Sequence, residues 1–371
     1  MHVAVIGRTY TVRVNRDKWH YVPEGITLYV ITPPYVRHTL QTYTAQPSTH
    51  WPHTIVPGYF THRMTGFCFS PRGLFSALRF AHPDLVQVDE EPSSLALLQV
   101  LLFKFAFGYR TIFFTWENLA FPRSVLAKLN RLIAFRWADG AIAGSMQAAH
   151  LLRQSGFKKH IAVIPQLGVN EGLFRPLRNA ALREALGLSA FTVGYVGRLV
   201  TEKGVHFLLE ALIKLQFPWH WLIVGRGPIE EEIRNTAQRH GVNDRIRWIG
   251  TVEHDKVAHY LNAMDVLVLP SVSTPRWKEQ FGHVLIEAMA CGIPVIGSSS
   301  GAIPEVIEDA GLIFPEGDVE ALRERLSMLH ENDKLRTNLG QRGRVRVLKK
   351  YTNRSIAAQT AGFWLRVCKC E

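Results

Sequence analysis

The sequence predicts an α/β protein built from two doubly wound parallel-sheet domains facing a cleft. A chain of 371 residues is too long for one ordinary domain and fits two of about 150–200 residues each. Short apolar, strand-like runs alternate with helical patterns from end to end, which is typical of parallel sheets covered by helices. A polar, glycine-containing stretch, residues 166–176, separates two such series and is interpreted as a linker.

The first series contains strand-like runs at Val3–Ile6, Ile26–Ile31, Leu85–Val88, Thr111–Thr115 and Ala141–Ala143, with helical patterns at Leu95–Phe107, Pro122–Trp137 and Ser145–Gln154. As a helix, the apolar Leu95–Phe107 segment would span about 20 Å, whereas the core of a bilayer is about 30 Å thick. Gln99 and Lys104 also interrupt it. The segment is therefore predicted to be a buried helix, and no transmembrane span is expected.

The second series has strand-like runs at Thr192–Val196, Trp221–Val224, Ile246–Ile249, Val266–Leu269 and Pro294–Gly297, with helical patterns at Val205–Leu215, Ile229–His240, Asp255–Ala263 and Phe281–Ala290. Ligands of doubly wound domains bind at the carboxyl ends of the strands. We therefore expect both halves to contribute to a cleft there. The predicted domains are 1–165 and 166–350, followed by a terminal segment, 351–371, whose apolar cluster Phe363-Trp364-Leu365 requires a surface to pack on.

Composition and charge restrict the class of protein. A hydrophobic content of 47% with 20% charged residues indicates a folded globular chain. The net charge of +12 is uneven, because residues 1–166 hold 17 Lys and Arg against 8 Asp and Glu. A basic N-terminal half suits nucleic acid, an anionic membrane surface or a phosphate-bearing acceptor, or is simply basic. No nucleic-acid-binding motif accompanies the charge, so nucleic acid is the weakest of these interpretations.

Neither the cysteines nor the histidines show the spacing of a metal site. The cysteines are Cys68, Cys291, Cys368 and Cys370. The near-adjacent last two do not suit a disulfide, so free thiols in a reducing cytosol are predicted. His50, His53 and His62 are interpreted as solvent-facing loop residues. The chain enters directly on a strand without the pattern of a signal peptide, which favours a cytoplasmic protein.

The first candidate site follows the strand Thr192–Val196. Gly197-Arg198 and Lys203-Gly204 bound a turn that leads into a helical pattern. Glycines let a backbone turn tightly and approach a ligand, and the N-terminus of a helix contributes about half a positive charge. Two fixed cations there would suit a diphosphate without a metal ion. Taken alone, an ordinary surface turn is an equally good interpretation.

The second candidate site places Glu279 and Glu287 on either side of a helix start at Phe281-Gly282. A carboxylate at the mouth of a helix can accept hydrogen bonds from the hydroxyls of a sugar, and one two turns further along could reach the ribose of the same ligand. Glu287 alone could instead belong to a solvated helix face. Cations for a diphosphate together with carboxylates for hydroxyls predict a nucleotide-sugar site.

Here the sequence resembles a known family. Glu279 to Glu287, followed by residues 288–295 and 301–307, is similar to the retaining glycosyltransferases of family 4 (glycosyl transferases group 1). Gly197 to Gly204, residues 225–228 and Leu269-Pro270-Ser271 fall where that family has its other marks. The resemblance covers the C-terminal half in detail. It implies the GT-B fold, two Rossmann-like domains with the final helix, 351–371, crossing back to the first.

The resemblance also implies roles for individual residues. The catalytic candidates are Arg198 and Lys203, on the leaving diphosphate, and Glu279, on the transferred sugar. The donor-binding candidates are Gly197, Val252 (beside the nucleobase), Phe281, Gly282, His283, Val284 and Glu287 (on the ribose). In this family the sugar moves with retention, by front-face attack in which the departing diphosphate takes the acceptor proton. Neither a strong protein base nor a metal or other cofactor is then expected, and catalysis rests on charge stabilisation.

The N-terminal half departs from the family pattern. Many relatives have a glycine-rich loop after the first strand and a histidine, before Glu-Pro, after a later one. This chain has Gly7-Arg8 and Asp89-Glu90-Glu91-Pro92 there, so either Asp89 or Glu90 is expected to replace the histidine and orient the acceptor hydroxyl. The acceptor-side candidates are Gly7, Arg8, Asp89, Glu90, Trp116, Glu117 and Asn118. The alternatives are a helix N-cap for the acidic run and a core position for Trp116.

The sequence thus predicts a cytoplasmic, metal-independent, retaining hexosyltransferase with a UDP- or GDP-sugar donor and a glycan or lipid-linked acceptor. Residues 274–282 are similar to bacterial members that assemble surface or extracellular polysaccharide, which implies peripheral contact of the basic N-terminal half with the inner face of the membrane. Two alternatives stay open, a GT-B nucleotide-sugar epimerase and a catalytically silent nucleotide-sugar-binding protein. The combined Arg-Lys and Glu-to-Glu signature argues against the first; the missing histidine keeps the second open.

Overall fold

The computed structural model describes residues 1–37, 42–60, 65–177 and 179–369. His62 and Cys370 lie outside the described residues. The chain divides into two compact units. Unit 1 is Met1–Gly168 together with the C-terminal segment that begins at Asn353, and unit 2 is Val169–Thr352. Each unit is built on one large parallel sheet with helices between its strands, which confirms the predicted pair of Rossmann-like domains.

The strands are β1 His2–Ile6, β2 Thr27–Thr32, β3 Tyr35–Arg37, β4 Thr42–Thr44, β5 His53–Ile55, β6 Gly58–Tyr59, β7 Cys68–Phe69, β8 Leu85–Val88, β9 Arg110–Thr115, β10 Gly140–Ala143, β11 His160–Val163, β12 Phe191–Val196, β13 Trp219–Val224, β14 Ile246–Gly250, β15 Val266–Leu269, β16 Val295–Ser298 and β17 Leu312–Phe314. The α-helices are α1 Pro71–Ala81, α2 Leu95–Phe107, α3 Val125–Trp137, α4 Met146–Gln154, α5 Ala180–Ala185, α6 Val205–Ile213, α7 Glu230–Arg239, α8 His254–Leu261, α9 His283–Ala290, α10 Ile303–Ile307, α11 Val319–Glu331, α12 Asp333–Lys350 and α13 Asn353–Lys369. Within the described ranges, no helix combines the length and the apolar character that crossing a membrane requires.

The main sheet of unit 1 has the strand order β11-β10-β9-β8-β1-β2-β5. Its strands are short and apolar on both faces, as parallel strands covered by helices must be. In β1, for example, Val3 and Val5 belong to one core cluster and Ala4 and Ile6 to the other. The strand order reverses between β1 and β8, and residues that follow these two strands therefore meet at the ligand-binding edge of the sheet.

Serine side chains start the first four helices of the chain. Ser70, Ser94, Ser124 and Ser145 each accept a hydrogen bond from the backbone N–H three residues further on, the usual N-cap arrangement. The predicted starts at Pro122 and Ser145 were therefore slightly early, because the helical geometry begins only after the capping serine.

The C-terminal helix α13 belongs to unit 1. Phe363 and Trp364 are buried, whereas Leu365 is exposed. The Trp364 ring stacks on Trp19 with centroids 5.5 Å apart, and its Nε1 donates to Gln87 Oε1 at 2.7 Å. The apolar cluster of the tail thus packs on the base of the first sheet through two of its three side chains.

The six-stranded sheet of unit 2 has the order β14-β13-β12-β15-β16-β17. Its order reverses between β12 and β15, so the loops after these strands meet at the ligand-binding edge. One predicted boundary there is wrong: α9 begins at His283 rather than Phe281. Gly282 has φ 77°, a left-handed conformation that a right-handed helix cannot include.

Candidate active site at the edge of the second sheet

The two loops that meet at the reversal of the second sheet are in van der Waals contact through a glycine. Gly204 ends the 3₁₀ turn Thr201–Lys203 with φ 64° and begins α6. A Cβ atom added to it would lie 2.0 Å from the carbonyl oxygen of Pro270, on the loop after β15. Only glycine fits this close approach, which brings Lys203 next to the second loop.

The two sequence motifs contact each other directly. Lys203 Nζ lies 2.5 Å from Glu279 Oε2, and Ser271 Oγ donates to the same oxygen at 2.8 Å. The ammonium also lies 5.0 Å from the centroid of the Trp277 ring, within the range of a cation–π contact. Glu279 is buried, and an opposite charge is what makes a buried carboxylate tolerable.

The backbone of Glu279 is held as tightly as its side chain. Its carbonyl accepts the N–H of Ala302 at 3.0 Å. Gly301, with φ 54°, approaches so closely that an added Cβ would lie 1.9 Å from the same carbonyl oxygen. This glycine, part of the family resemblance, therefore fixes the position of the carboxylate.

Arg198 is the exposed cation of the first loop. Its carbonyl oxygen accepts the hydroxyl of Tyr195 at 2.7 Å, which fixes the backbone. The neighbouring Gly197 has φ 154°, and a Cβ added to Gly225 would lie 1.9 Å from its carbonyl oxygen. Among the described residues the guanidinium of Arg198 has no ion-pair partner, so it can meet an incoming anion.

Glu287 lies one turn into α9, and two imidazoles hold it. His254 Nε2 lies 2.8 Å and His283 Nδ1 3.3 Å from Glu287 Oε1. Burial raises the pKa of the Glu287 carboxyl, but the hydrogen bonds from His254 and His283 outweigh it and bring the pKa down to about 2. The carboxylate is therefore charged, and Oε2 has no hydrogen-bond partner in the part of the chain that the structure describes.

The remaining donor-side predictions occupy the surrounding backbone. Phe281 and Gly282 are buried at the start of α9, and Val284 is half-buried. The Phe281 ring packs on Tyr351 with centroids 5.7 Å apart, so its side chain belongs to the core. Val252 is half-buried in the loop between β14 and α8, two residues before His254.

Sequence reasoning missed three side chains of this site. Ser271 is the second residue after β15, and although the resemblance included it, only the rule for ligand sites in doubly wound sheets could have given it a place in the site. His254 and Trp277 carry no signal in the sequence, because only the folded chain brings them to Glu287 and Lys203.

Of the acceptor-side candidates, Gly7, Arg8, Asp89 and Glu90 meet at the reversal of the first sheet, and Trp116, Glu117 and Asn118 follow the neighbouring strand β9. Arg8 donates to Glu90 through Nε at 2.8 Å and through Nη2 at 2.6 Å, a two-pronged pair with a buried carboxylate. An added Cβ at Gly7 would lie 3.0 Å from the Cβ of Asp89, so the absence of a side chain there lets these two segments approach.

Asp89 is the centre of a buried hydrogen-bond network. It accepts from the Tyr10 hydroxyl at 2.5 Å, from Gln87 Nε2 at 2.7 Å and from Gln166 Nε2 at 3.2 Å. These contacts hold the carboxylate within unit 1. Its expected contact with an acceptor hydroxyl stays a prediction, as does that of Glu90.

The third carboxylate of the acidic run, which the sequence did not single out, has the most perturbed surroundings. Glu91 accepts from Thr115 Oγ1 at 2.5 Å and from the N–H of Trp116 at 2.9 Å. Burial, followed by the negative charge of Glu117, raises the pKa of Glu91. Glu117 itself pairs with Arg123 at 2.6 Å.

Trp116 and Asn118 are both half-buried on the same segment. Trp116 Nε1 donates to Gln166 Oε1 at 3.1 Å. Trp116 is thus held by hydrogen bonds at both its backbone N–H and its ring, and its contact with an acceptor stays a prediction.

The second unit is similar to a known protein family. Residues 182–346 match the family model of Glycosyl transferases group 1. The chain is 36% identical over 140 residues to N-acetyl-alpha-D-glucosaminyl L-malate synthase of Bacillus anthracis, which covers 37% of this chain and 35% of that protein. It is 28% identical over 228 residues to the lipopolysaccharide core biosynthesis glycosyltransferase LpsE of Rhizobium meliloti, covering 61% of this chain and 64% of that protein. The chain thus spans about one third to two thirds of the length of these relatives.

Solved structures show the fold over the whole chain. Sucrose-phosphate synthase from Thermosynechococcus elongatus superposes with a TM-score of 0.74 at 22% identity, covering all of both chains. Anabaena HepE in complex with UDP superposes with a TM-score of 0.77 at 18% identity, covering 99% of this chain and 100% of that one. The GT-B fold expected from the sequence is confirmed, and within the C-terminal unit the similarity to the Glycosyl transferases group 1 model extends over residues 182–346.

Proposed function

We propose that this chain is a retaining glycosyltransferase that moves a sugar from a UDP- or GDP-linked donor to a glycan or lipid-linked acceptor. The observation that carries the proposal is the contact between Lys203 and Glu279 at the reversal of the second sheet. This pair lies at the edge where ligands of doubly wound sheets bind, and there the cation would suit a diphosphate and the carboxylate would suit the hydroxyls of a sugar.

The donor would engage this site by replacing contacts within the protein. A diphosphate offers Lys203 a competing anion, and Arg198 is exposed on the same loop. Glu279, relieved of the ammonium, could then accept hydrogen bonds from sugar hydroxyls. Glu287 would present its unoccupied Oε2 to the ribose, and Val252 would lie beside the nucleobase. The backbone of Phe281 to Val284 would line the sugar and phosphate.

Transfer would follow from charge stabilisation. The bond between the anomeric carbon and the diphosphate oxygen breaks while the acceptor oxygen bonds to the same face of that carbon. The acceptor proton passes to the departing diphosphate. Arg198 and Lys203 would stabilise the charge that develops on the leaving group, and fixed charges of this kind are among the largest catalytic effects in enzymes. We propose that no metal ion or other cofactor takes part.

The acceptor would bind at the carboxyl edge of the first sheet, near Gly7, Arg8, Asp89, Glu90, Trp116, Glu117 and Asn118. The name of LpsE, a lipopolysaccharide core enzyme, supports assembly of a cell-surface or extracellular polysaccharide. The basic N-terminal half supports a cytoplasmic protein in peripheral contact with the inner face of the membrane.

The test is release of nucleotide from UDP-, GDP- and ADP-sugars by purified protein, with and without EDTA. We expect slow hydrolysis of one donor, unchanged by EDTA and abolished in Lys203→Ala. Lys214→Ala removes an exposed cation just after α6 and is the matched control. Failure to bind any nucleotide or nucleotide sugar would overturn the proposal. Binding without hydrolysis or transfer to any glycan would favour the catalytically silent alternative.

A further inference from the structure

Helix α3 of unit 1 exposes an apolar face. Val125, Leu126, Leu129 and Leu132 are between 51% and 84% exposed. Val125, Leu129 and Leu132 follow one another at intervals of four and three, so they lie on one side of the helix. The opposite side, with Asn130 and Ala134, is buried. The helix therefore presents to solvent the kind of face that normally packs against something.

A neighbouring residue extends this face beyond α3. Phe121, before α3, is also exposed, and it lines a shallow surface depression together with Leu132. The α3 face, as we name the surface of Phe121, Val125, Leu126, Leu129 and Leu132, thus extends from the helix into the loop that precedes it.

Positive charge accompanies the α3 face. Residues 92–160 contain nine Lys and Arg but only two acidic residues, Glu117 and Asp139. Both acids are already paired, Glu117 with Arg123 at 2.6 Å and Asp139 with Lys104 at 2.6 Å. Lys128 and Arg136 are exposed. Arg136 follows Leu132 by four residues and therefore lies on the apolar side itself.

We infer that the α3 face is the surface by which this protein lies on an anionic lipid bilayer. An interfacial helix combines an apolar face that enters the headgroup region with Lys and Arg that attract anionic lipid. The buried side of α3 remains packed on unit 1, so the helix would lie in the plane of the membrane. A protein partner would need acidic groups placed opposite Lys128 and Arg136, whereas an anionic bilayer presents negative charge over its whole surface.

This inference deepens the membrane contact within the proposed function by naming its surface and its lipid chemistry. It does not involve the donor site, because α3 belongs to unit 1 and Lys203 and Glu279 belong to unit 2. Vesicle binding and donor hydrolysis can therefore be measured separately.

The experiment is co-sedimentation of the purified full chain with vesicles of phosphatidylglycerol mixed with phosphatidylcholine, and with vesicles of phosphatidylcholine alone. We expect binding to the mixed vesicles only, weakened by added salt. The triple variant Val125→Ser/Leu129→Gln/Leu132→Gln should lower the partition coefficient by about tenfold or more. Lys128→Glu/Arg136→Glu should abolish the preference for anionic lipid.

The matched control is Val345→Ser/Leu348→Gln, which removes two exposed apolar side chains from α12 of unit 2 and should bind vesicles like the wild type. Absence of binding to the mixed vesicles, or equal binding by the triple variant, would overturn the inference. So would a wild-type dimer in sedimentation velocity that the triple variant dissociates, because the face would then be an interface between two copies. Unchanged vesicle binding with no donor hydrolysis counts against the proposed reaction alone.

Discussion

The ion pair between Lys203 and Glu279 predicts a double-mutant cycle that separates structural from catalytic roles. Removing one partner of a buried pair destabilises a protein by about 3–5 kcal/mol, because the other charge stays buried. Here the Lys203 side chain is 21% exposed and that of Glu279 8%, and Ser271 still donates to the carboxylate. We therefore expect about 2 kcal/mol for Lys203→Met.

For a unit the size of unit 2, about 2 kcal/mol corresponds to a fall in Tm of about 4–8 °C. Adding Glu279→Gln should recover most of this loss, since no uncompensated charge then remains. Nucleotide release should fall by about 10²–10³ in Lys203→Met and should not recover in the double variant. Calorimetry and donor hydrolysis measure the two effects on the same samples.

Two results would refute this reasoning. One is an unchanged Tm in Lys203→Met, which would mean that the ion pair contributes nothing to the unliganded fold. The other is recovery of nucleotide release together with stability in the double variant, which would make Lys203 a structural residue and leave the diphosphate without it.

Three further predictions rest on single contacts. Gly204→Ala should destabilise the protein by more than about 1 kcal/mol in thermal unfolding, because a φ of 64° and a backbone oxygen 2.0 Å from the added Cβ both oppose a side chain. The control Gly362→Ala, with open space around the added Cβ, should leave the Tm unchanged or raise it. The pKa of Glu287 is lowered from 4.5 to about 2. The stabilisation that the Glu287 carboxylate contributes is therefore complete above pH 4.5 and is lost as the pH falls toward 2. His254→Ala should move this loss to higher pH in acid-unfolding curves and weaken donor binding in calorimetric titration. Burial lowers the pKa of Lys18 from 10.5 to about 8. Between pH 8 and 10.5 the unfolded state therefore binds more protons than the folded state, and the free energy of unfolding should rise with pH. A rise of the same size in Lys18→Met would contradict this assignment.

Periodicity predicted the interior of both sheets well. The strands Leu85–Val88 and Val266–Leu269 and the helix Leu95–Phe107 have the bounds that the sequence predicted, because these strongly apolar runs are bounded by polar residues, glycine or proline. The three-residue strands β5 and β17 were not predicted, since so short a run carries no detectable alternation.

The segment between β1 and β2 shows why polar stretches are harder to interpret. Residues 8–21 form 3₁₀ turns that bury Arg16, Lys18 and Trp19. Lys18 Nζ donates to the carbonyl of Gln166 at 2.5 Å. Nothing local indicates such burial, because it depends on a partner 148 positions away.

The site divides in the same way. The rule for doubly wound sheets places both donor loops at one edge, so proximity of Lys203 and Glu279 could be expected, but not their direct contact. Glu287 was a candidate through its spacing to Glu279 and the family resemblance, whereas its contacts with His254 and His283 are visible only in the fold. At the first sheet, the register of the acidic run left Asp89 and Glu90 equivalent, and the structure distinguishes them by their partners, Tyr10 and Arg8.

The path of the chain has a thermodynamic consequence. The chain leaves unit 1 after Gly168, forms unit 2 from Val169 to Thr352, and returns to unit 1 at Asn353. Unit 1 is therefore complete only after unit 2 has been traversed. The two ends of unit 2 are paired with each other: Val169 donates to the Tyr351 carbonyl at 2.9 Å and bridges to Thr352. A folded unit 2 therefore acts on unit 1 as a connection of almost no length.

If unit 2 unfolds, that connection becomes a flexible loop of residues 169–352. The entropy of closing such a loop is larger by about 4 kcal/mol on logarithmic scaling. This loop closes when α13 packs against the first sheet, where Trp364 donates to Gln87. A folded unit 2 thus lowers the entropic cost of completing unit 1, so an interaction that stabilises unit 2 also stabilises unit 1 through the connectivity of the chain.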